Sequence, residues 1–315
     1  MLRYILGRLL AALPIALGVS VVCFALIYLA PGDPVQTLLP PDADAETVAR
    51  LKRMYGLDQP LPLQYLTWLG RVLTGDFGQS IATGRPVAEE IWRSLGNTVL
   101  LAALSVLFAF SIAFVLGTIA GRHAGGWLDR VVTGIAVIGV SVPNYWLGIV
   151  LVIVFAVELM ALPASGMATG SFDPTSWDHV RHLILPVITL SMIPVGIIAR
   201  TTRSAVSEVM NQEFVTTLRA NGLPERRVLK HALKNALPPV LAVMGLQFGT
   251  LMGGSILVET VFSWPGSGFL LSKAILARDV PVLQGTILVL ALVFVFTNLA
   301  VDLVQSSVDP RIRRA

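Results

Sequence analysis

Polarity in this chain changes on the scale of whole segments, because long apolar runs are separated by shorter polar stretches. Six runs are long enough to cross a bilayer as helices, which takes about 17 to 25 residues each. The sequence has no succession of short alternating segments such as a membrane β-barrel requires. The pattern predicts an all-α polytopic membrane protein with six transmembrane helices, at approximately 9–30, 98–120, 131–157, 183–199, 239–262 and 282–304.

Composition supports a membrane protein. Hydrophobic residues make up 55% of the chain and charged residues 13%, with a mean hydropathy of +0.75, which excludes an ordinary soluble globular domain. The first apolar run has no small-residue cleavage pattern at its end, so we expect an uncleaved span rather than a signal peptide. The single cysteine, Cys23, lies inside that run, which excludes disulfides within one chain.

Charge is distributed unequally between the two sides that the six spans define. With the N-terminus inside, the inner segments hold 14 of the 23 basic residues and a net charge of +8, against −4 outside. The positive-inside rule therefore predicts that both termini are cytoplasmic. This asymmetry also accounts for the pI near 9.5, so no nucleic-acid partner is needed to explain it.

The predicted spans divide the chain into four parts. These are an N-terminal transmembrane helix (1–30), an extracytoplasmic segment (31–97), a membrane core (98–306) with a cytosolic loop at 204–237, and a cytosolic tail (307–315). The external segment is too long for a simple loop, and its pattern predicts helices near 44–55 and 63–73. Its aromatic residues either lie at the membrane interface or close a small external core: Tyr65, Trp68 and Trp92.

A basic stretch interrupts the apolar pattern at 213–238. Asn221-Gly222 predicts the end of one helix, and Pro224 predicts the first position of a second helix that runs to Pro238. The second helix has an apolar side formed by Val228, Leu229, Ala232, Leu233 and Ala236, and a basic side formed by Arg226, Arg227, Lys230 and Lys234. We therefore expect a bent basic helix pair on the cytosolic side, between two spans.

Few polar residues interrupt the spans themselves. Pro143 and Asn144 predict a kink in the third span, which either faces a water-filled path or serves helix packing with Asn144 bonded to a neighbouring carbonyl. The fifth span is rich in small residues, which predicts close packing at the bundle centre or at a subunit contact. The candidates for lining a pathway are Ser141, Asn144, Tyr145, Gln247 and Glu259.

The sequence lacks the motifs of nucleotide binding, of hydrolysis and of metal binding. No glycine is followed by lysine, so a phosphate-binding P-loop is absent, and so is the Gly-x-Ser-x-Gly sequence of hydrolases. The four histidines are dispersed, and no catalytic, cofactor or metal site is predicted. The only acidic residues near the spans are Glu158, Glu259 and Asp302, and each lies close to the predicted end of a span. No ion-coupling group is therefore evident at the membrane midplane. We infer that energy reaches the chain mechanically, from a partner that docks on 213–231.

Ordered motifs along nearly the whole chain resemble the membrane subunits of ABC importers, in the dipeptide, oligopeptide and nickel branch. Gly222 aligns with the glycine of the family's cytosolic coupling loop, preceded by Thr216, Thr217 and Leu218. The family's Glu-Ala-Ala triplet is missing, and Leu237-Pro238 lies three residues further from the glycine than in the general pattern. The other matching stretches are MLRYILGRLL (1–10), LAPGDP (29–34), YGLDQPLPLQYLTWL (55–69), GDFGQS (75–80), SVPNYWLGI (141–149), VETVFSWPGSG (258–268), RDVPVLQG (278–285) and VDLVQSSVDPRIRR (301–314).

The resemblance implies the type I ABC importer permease fold with a cytosolic coupling helix, in the bacterial plasma membrane. It implies a second permease subunit, two ATP-binding subunits that hold ATP and Mg, and an extracytoplasmic substrate-binding protein. This chain is then a transport subunit rather than an enzyme, with no cofactor of its own. The residues implied in ATPase coupling are Glu213, Thr216, Thr217, Leu218, Arg219, Ala220, Asn221, Gly222, Leu223, Arg226 and Arg227.

Six residues of the loop have side chains or backbone freedom that suit the implied role. Gly222 permits the sharp turn, Thr217, Leu218 and Leu223 can fill a groove, and Arg219 and Arg226 can meet acidic rims. The alternative for the basic face is contact with anionic membrane lipid, although lipid contact does not require the bend.

The substrate class that the resemblance implies is di- and oligopeptides. The same machinery importing nickel chelates or glutathione remains an alternative, since a chelate would not oblige this chain to carry metal ligands. An ion-coupled carrier that acts alone is an alternative from a different class. A membrane-embedded enzyme lacks any paired acid and base or activated nucleophile in the sequence.

Overall fold

The computed structural model describes residues 2–29, 44, 46, 58–168 and 176–308, and helices joined by turns and short loops make up most of these ranges. In this part of the chain the only extended pairing is an isolated bridge between Gln79 and Pro86, so the all-α prediction is confirmed. The predicted helix at 63–73 is present, whereas that at 44–55 falls mostly outside the described residues. The helices are α1 (Leu2–Leu29), α2 (Leu61–Leu73), α3 (Val87–Arg122), α4 (Trp127–Ser141), α5 (Asn144–Leu151) continued by a π-helix (Val152–Glu158), α6 (Trp177–Met210), α7 (Glu213–Ala220), α8 (Glu225–Gly254), α9 (Ile256–Val261), α10 (Ser267–Ala277) and α11 (Val280–Val308).

The long helices account for the predicted spans. Helices α3, α6, α8 and α11 are each long and apolar enough to cross a membrane, and α4 with α5 and the π-helix forms a fifth, broken candidate. The first predicted span lies on α1, a 28-residue helix whose apolar part, among the side chains described, covers Leu13–Ala25. The six-helix count is therefore approximate, with four or five spans meeting the length criterion in the described chain.

The third predicted span is broken rather than merely kinked. Helix α4 ends at Ser141, α5 begins at Asn144, and the two halves are bent by 97°. Val142 between them has extended backbone (φ −82°, ψ 124°), which is the conformation that a following proline imposes. The Pro143-Asn144 signal in the sequence therefore marks a full change of direction.

Helix α8 runs through a point where the sequence predicted a boundary. We expected one helix to stop at Pro238 and a separate span to begin at 239, but α8 is continuous from Glu225 to Gly254 with Pro238 and Pro239 inside it. A proline removes its own N–H donor, but membrane helices tolerate this where neighbouring helices and side chains satisfy the freed carbonyls. The prediction of two separate elements was wrong, and the basic helix is the first part of a membrane helix.

One compact unit comprises residues 1–97 and 265–295. In it α2 packs on α1, where the hydroxyls of Ser20 and Tyr65 lie 2.8 Å apart and the rings of Phe24 and Tyr65 meet edge to face. Trp68 joins the same cluster with its ring 5.9 Å from that of Phe24. Tyr65 and Trp68 thus pack with Phe24 of α1, whereas Trp92 is 60% exposed, and both alternatives for these aromatic residues stay predictions.

Two motifs that are far apart in the sequence meet in the same unit. Asp279 is 3% exposed and accepts hydrogen bonds from the Ser80 hydroxyl at 2.5 Å and the Ala82 amide at 3.1 Å. Its other oxygen accepts from the Val282 amide at 3.4 Å, so the side chain also caps the N-terminus of α11. The stretches 75–80 and 278–285 are thereby joined through one carboxylate.

The second compact unit comprises residues 98–264 and 296–315, and α6 is its most buried long helix. Helices α4, α5 and α8 all pack on α6. Glycines permit close approach: a Cβ on Gly196 would lie 2.5 Å from the Ala136 carbonyl oxygen, and one on Gly245 would lie 2.8 Å from Val301. Small residues have this role in membrane helix packing, so the expected close packing of the glycine-rich span is confirmed at Gly245.

Candidate functional site

The hairpin formed by α7, the turn 221–224 and the start of α8 is the candidate site. Helix α7 ends at Ala220, and Gly222 has a left-handed backbone with φ +76°. The Gly222 amide donates to the Arg219 carbonyl at 2.9 Å, and the Leu223 amide donates to the Leu218 carbonyl at 3.2 Å. These two bonds define a Schellman motif, in which glycine is strongly preferred at the left-handed position. The Asn221-Gly222 stop signal is confirmed.

The second helix begins one residue later than predicted. Pro224 is the N-cap of α8, with φ −64° and ψ 145°, and Glu225 is the first helical residue. The carbonyl of Pro224 accepts hydrogen bonds from the amides of Arg227 (2.8 Å) and Val228 (3.2 Å). Because proline has a fixed φ and no N–H to leave unsatisfied, it sets the direction in which the chain enters α8.

A solvent-exposed ion pair links the end of α7 to the start of α8 across the turn. The Arg219 Nε donates to Glu225 Oε1 at 2.8 Å, and both side chains are about half exposed, at 44% and 50%. The Arg219 guanidinium lowers the pKa of the Glu225 carboxyl, so the pair is intact at neutral pH and is lost only as the carboxyl protonates in acid. The sequence interpretation assigned Arg219 to a partner's acidic rim and missed Glu225, because pairing across a turn depends on its geometry.

The hairpin has a buried side that fixes it to the rest of its unit. Val215 of α7 and Val228 of α8 are fully buried. A neighbouring apolar cluster joins α6 to α8 through Val206, Val209, Ala232 and Ala236, with Phe214 of α7 packed against it. The predicted apolar side of the second helix is confirmed.

The opposite side of the hairpin is open. Most residues predicted to dock a partner have exposed side chains or, for Gly222, exposed backbone, while Leu218 and Leu223 are half-buried: the exposed residues are Glu213, Thr216, Thr217, Arg219, Ala220, Asn221, Gly222, Arg226 and Arg227. Among the described residues, nothing lies within 4 Å of the position that a Cβ on Gly222 would occupy. The structure thus brings the predicted coupling residues together on one accessible surface.

An ion pair between a half-buried arginine and a buried aspartate lies on the helix that leads into the hairpin. On α6, Arg203 donates from Nε and a terminal nitrogen to the two carboxylate oxygens of Asp129 at 2.9 and 2.7 Å. Asp129 is 5% exposed and also accepts from the Gly125 amide at 2.8 Å. The pair fixes the turn between α3 and α4 to α6. Sequence reasoning did not identify this contact.

The five predicted pathway residues lie on four helices: Ser141 ends α4, Asn144 and Tyr145 begin α5, Gln247 lies on α8 and Glu259 lies on α9. Ser141, Asn144 and Tyr145 flank the break between α4 and α5, where Tyr145 is 46% exposed and Asn144 Oδ1 is buried without a hydrogen-bond partner in the described residues. Gln247 is buried on α8. Glu259 on α9 is fully buried, and its Oε1 accepts from Thr98 at 2.8 Å and from Ser255 at 2.7 Å.

Known proteins match this chain over nearly its whole length. Residues 113–314 match the family described as binding-protein-dependent transport system inner membrane component, and residues 1–102 match the N-terminal family of such membrane components. The chain is 42% identical to the dipeptide transport system permease protein DppB of Alkalihalophilus pseudofirmus, with 99% of this chain and 100% of that protein covered. It is 41% identical to the glutathione transport system permease protein GsiC of Escherichia coli K12, with 99% of each covered.

The fold has a relative among solved structures. A chain of the MetNI methionine ABC transporter, in an inward-facing conformation, aligns with a TM-score of 0.58 and 19% identity, covering 70% of this chain and 96% of that chain. A second crystal form aligns with a TM-score of 0.54. The type I ABC permease fold that the sequence predicted is confirmed.

The chain has several helices long and apolar enough to span a membrane and an exposed helical hairpin between two of them. Together with these matches, they define the class of protein as the multi-pass membrane subunit of a transporter. The chain belongs to the binding-protein-dependent transport system inner membrane component family. It is a permease subunit of an ABC importer, so the prediction of a transport subunit rather than an enzyme is confirmed.

Proposed function

We propose that this chain forms, with a second permease subunit, the pathway of an importer for di- and oligopeptides. The observation that carries the proposal is the 42% identity, over 99% of this chain, to a protein named as a dipeptide permease. The second unit supports a transport role, because its broken candidate span has polar residues at the break and packs on α6. We assign Ser141, Asn144 and Tyr145 to the pathway, and we retain Gln247 and Glu259 as candidates that solvent does not reach in this conformation.

The exposed hairpin couples the pathway to ATP hydrolysis. We propose that two ATP-binding subunits, which hold ATP and Mg, serve the two permeases, and that one of them receives α7 and the turn at Gly222 in a surface groove. Support comes from the open surface over Gly222 together with the rigid attachment of the hairpin through Val215 and Val228. A partner that moves this hairpin also moves α6 and α8, because the apolar cluster joins all three helices.

We also propose which side of the membrane each part of the chain faces. An extracytoplasmic binding protein delivers substrate to the face opposite the hairpin, and both termini lie in the cytoplasm of a bacterial cell. The charge asymmetry of the sequence supports this orientation.

Glutathione is a second candidate substrate because a named glutathione permease is 41% identical to this chain over 99% of both. Dipeptides and glutathione differ chemically, since glutathione contains a γ-linked glutamate that an ordinary peptide lacks. The two proposals share the fold and the coupling site, so only the transported molecule separates them.

The test is uptake by a strain from which the gene has been deleted and then restored. Labelled dipeptide, glutathione and nickel are offered separately, and the restored strain should regain dipeptide uptake alone. Recovery of glutathione or nickel uptake without dipeptide uptake would move the substrate to that class. Uptake that survives ATP depletion but not collapse of the proton gradient would overturn the ABC mechanism in favour of an ion-coupled carrier.

A tagged pull-down from membranes in mild detergent tests the partners. Mass spectrometry should identify a second permease and ATP-binding subunits, and the binding protein should be recovered when substrate is present. Purification of this chain alone, in a form that transports by itself, would contradict the proposed assembly.

A further inference from the structure

A groove of about 560 Å³ opens beside α8, between the exposed hairpin and the apolar part of the bundle. One face carries four side chains at positions i, i+3, i+4 and i+7 of the helix, which places them in one stripe: Arg227, Lys230, His231 and Lys234. All four are exposed, and no acidic residue is among the described residues that line the groove. Its electrostatic character is therefore cationic at the rim.

The other wall of the groove is apolar. Phe114 of α3 and Leu233 and Leu237 of α8 line it, and each is half-buried. Phe114 lies eight residues before Arg122, the end of α3, which corresponds to about 12 Å along the helix axis. The apolar wall therefore lies deeper in the bundle than the charged end of α3.

The groove lies where α8 changes from a charged to an apolar helix, which is the expected position of the membrane boundary. Lys234 is the last charged residue of α8, and the next charged residue in the chain is Glu259. Cationic side chains at such a boundary, beside an apolar wall, match the two parts of a phospholipid, namely its phosphate headgroup and its acyl chains. A free inorganic anion would bind the cationic side chains but would not contact the apolar wall. An ATP-binding subunit docked on the turn at Gly222 would contact only the end of the stripe at Arg227.

We propose that this groove binds an anionic phospholipid of the membrane leaflet on the hairpin side, with the headgroup phosphate among Arg227, Lys230, His231 and Lys234. The acyl chains lie against Phe114 and Leu237. The proposal requires membrane insertion but not the peptide substrate or the ATPase partners, so it stands or falls separately from the proposed function. A lipid held here contacts the stretch of α8 that connects the hairpin to the bundle.

Native mass spectrometry of the full-length chain, purified with the subunits that accompany it, tests the proposal. Phosphatidylglycerol and phosphatidylcholine with identical acyl chains are titrated into detergent solutions of the wild type and of Lys230→Gln/Lys234→Gln. The apparent affinity for phosphatidylglycerol should fall roughly tenfold in the variant, because each lysine near an anionic surface contributes favourably, whereas binding of phosphatidylcholine should not change.

The matched control is Arg130→Gln/Arg200→Gln, which removes two exposed positive charges of the same unit that do not line the groove. This variant should keep the wild-type affinity for phosphatidylglycerol. Equal loss in both variants would show general charge attraction and overturn the proposal, as would a wild type without preference for phosphatidylglycerol. Elution volume and thermal midpoint in lipid-free detergent verify that both variants are folded.

A competition experiment separates a lipid from a free anion. Inorganic phosphate is added in large excess to the wild type with bound phosphatidylglycerol, and sodium chloride of equal ionic strength serves as the comparison. Both salts should weaken binding equally, because they act by screening. Selective displacement by phosphate would show that the groove is a free-anion site and would overturn the lipid assignment.

Discussion

Gly222 determines the shape of the hairpin at the scale of a single residue. Its φ of +76° lies in the left-handed region, where a residue with a Cβ is disfavoured by about 1 kcal/mol. Among the described residues, no atom lies within 4 Å of the position of a Cβ here, so an added side chain projects into open space. Glycine is therefore favoured here for two reasons: the turn requires a left-handed backbone, and a side chain would project from the surface proposed to contact the ATPase.

The substitution Gly222→Asp should leave membrane insertion intact and abolish most dipeptide uptake. The added carboxylate strains the turn modestly and projects from the surface on which we place the ATPase. The measurement is uptake in the restored deletion strain, with the amount of membrane-inserted chain determined by immunoblot. Normal uptake at a normal protein level would refute docking at this turn.

A matched pair of variants separates strain from docking. Gly125 also has a left-handed backbone (φ +82°) and open surroundings among the described residues, but it lies in the turn between α3 and α4. Gly222→Asn and Gly125→Asn therefore have the same backbone cost without added charge. Uptake should fall only for Gly222→Asn, and a comparable fall for both would assign the effect to strain.

The Arg219–Glu225 pair gives a second prediction at this scale. Arg219→Glu places two carboxylates at the 2.8 Å contact and should reduce uptake by distorting the turn. The exchange Arg219→Glu/Glu225→Arg restores an attractive pair and should recover most of the uptake, if the pair acts within the chain. Failure of the exchange to recover uptake would show that the partner's acidic rim recognises the charge at Arg219, as the sequence interpretation had it.

At the scale of helices, α6 depends on glycine contacts that leave no room for a methyl group. A Cβ on Gly196 would lie 2.5 Å from the Ala136 carbonyl oxygen and 2.6 Å from Val140, so Gly196→Ala should destabilise the protein by about 1–3 kcal/mol. Gly134→Ala on α4 is the control, because no described atom lies within 4 Å of its Cβ. Thermal unfolding in detergent should show a lower midpoint for Gly196→Ala only, and equal midpoints would contradict the close packing of α4 on α6.

The Arg203–Asp129 pair adds a polar constraint to the same helix. Arg203→Ala leaves the buried Asp129 carboxylate with fewer donors and should cost about 2 kcal/mol of stability. Arg200→Ala, an exposed change one turn earlier on α6, should have little effect. The comparison is the thermal midpoint of the two purified variants. A similar midpoint for both would mean that the turn between α3 and α4 does not depend on Arg203.

The helices that the sequence predicted well are those with a local signal. The stop at Gly222 and the start at Pro224 follow from backbone preferences that any neighbouring structure must respect, so they were predicted to within one residue. The continuation of α8 through Pro238 and Pro239 could not be predicted, because proline ends a helix only where the bundle does not compensate for the missing donor.

The candidate site shows the same limit. Its exposed and buried sides followed from helical periodicity, but its ion pairs did not. Arg203 and Asp129 are 74 positions apart in the sequence, and Glu259 meets Thr98 across 161 positions. Contacts at such separations depend on the packing of whole helices, which no spacing rule encodes. Single-sequence reasoning therefore identified the exposed and apolar sides of the hairpin and missed the polar contacts between residues that are distant in the sequence.

At the scale of the whole molecule, the proposed mechanism depends on which side of the membrane the hairpin occupies. The charge asymmetry of the sequence predicts that it lies in the cytoplasm, where ATP is available. Cysteine labelling can test this directly, because Cys23 is the only cysteine in the chain and is buried. In a Cys23→Ser background, single cysteines are introduced at Asn211, in the turn before α7, and at Leu276, which is 83% exposed near the end of α10.

A membrane-impermeant maleimide added to intact spheroplasts should label Leu276→Cys and should leave Asn211→Cys unlabelled until the membrane is permeabilised. Each variant is its own control, since labelling after permeabilisation shows that the thiol is reactive. The reverse pattern would place the hairpin outside, beyond the reach of any cytosolic ATPase, and would overturn the coupling mechanism while leaving the fold intact. Equal labelling of both sites in intact spheroplasts would indicate mixed insertion, which the inner surplus of basic residues should prevent.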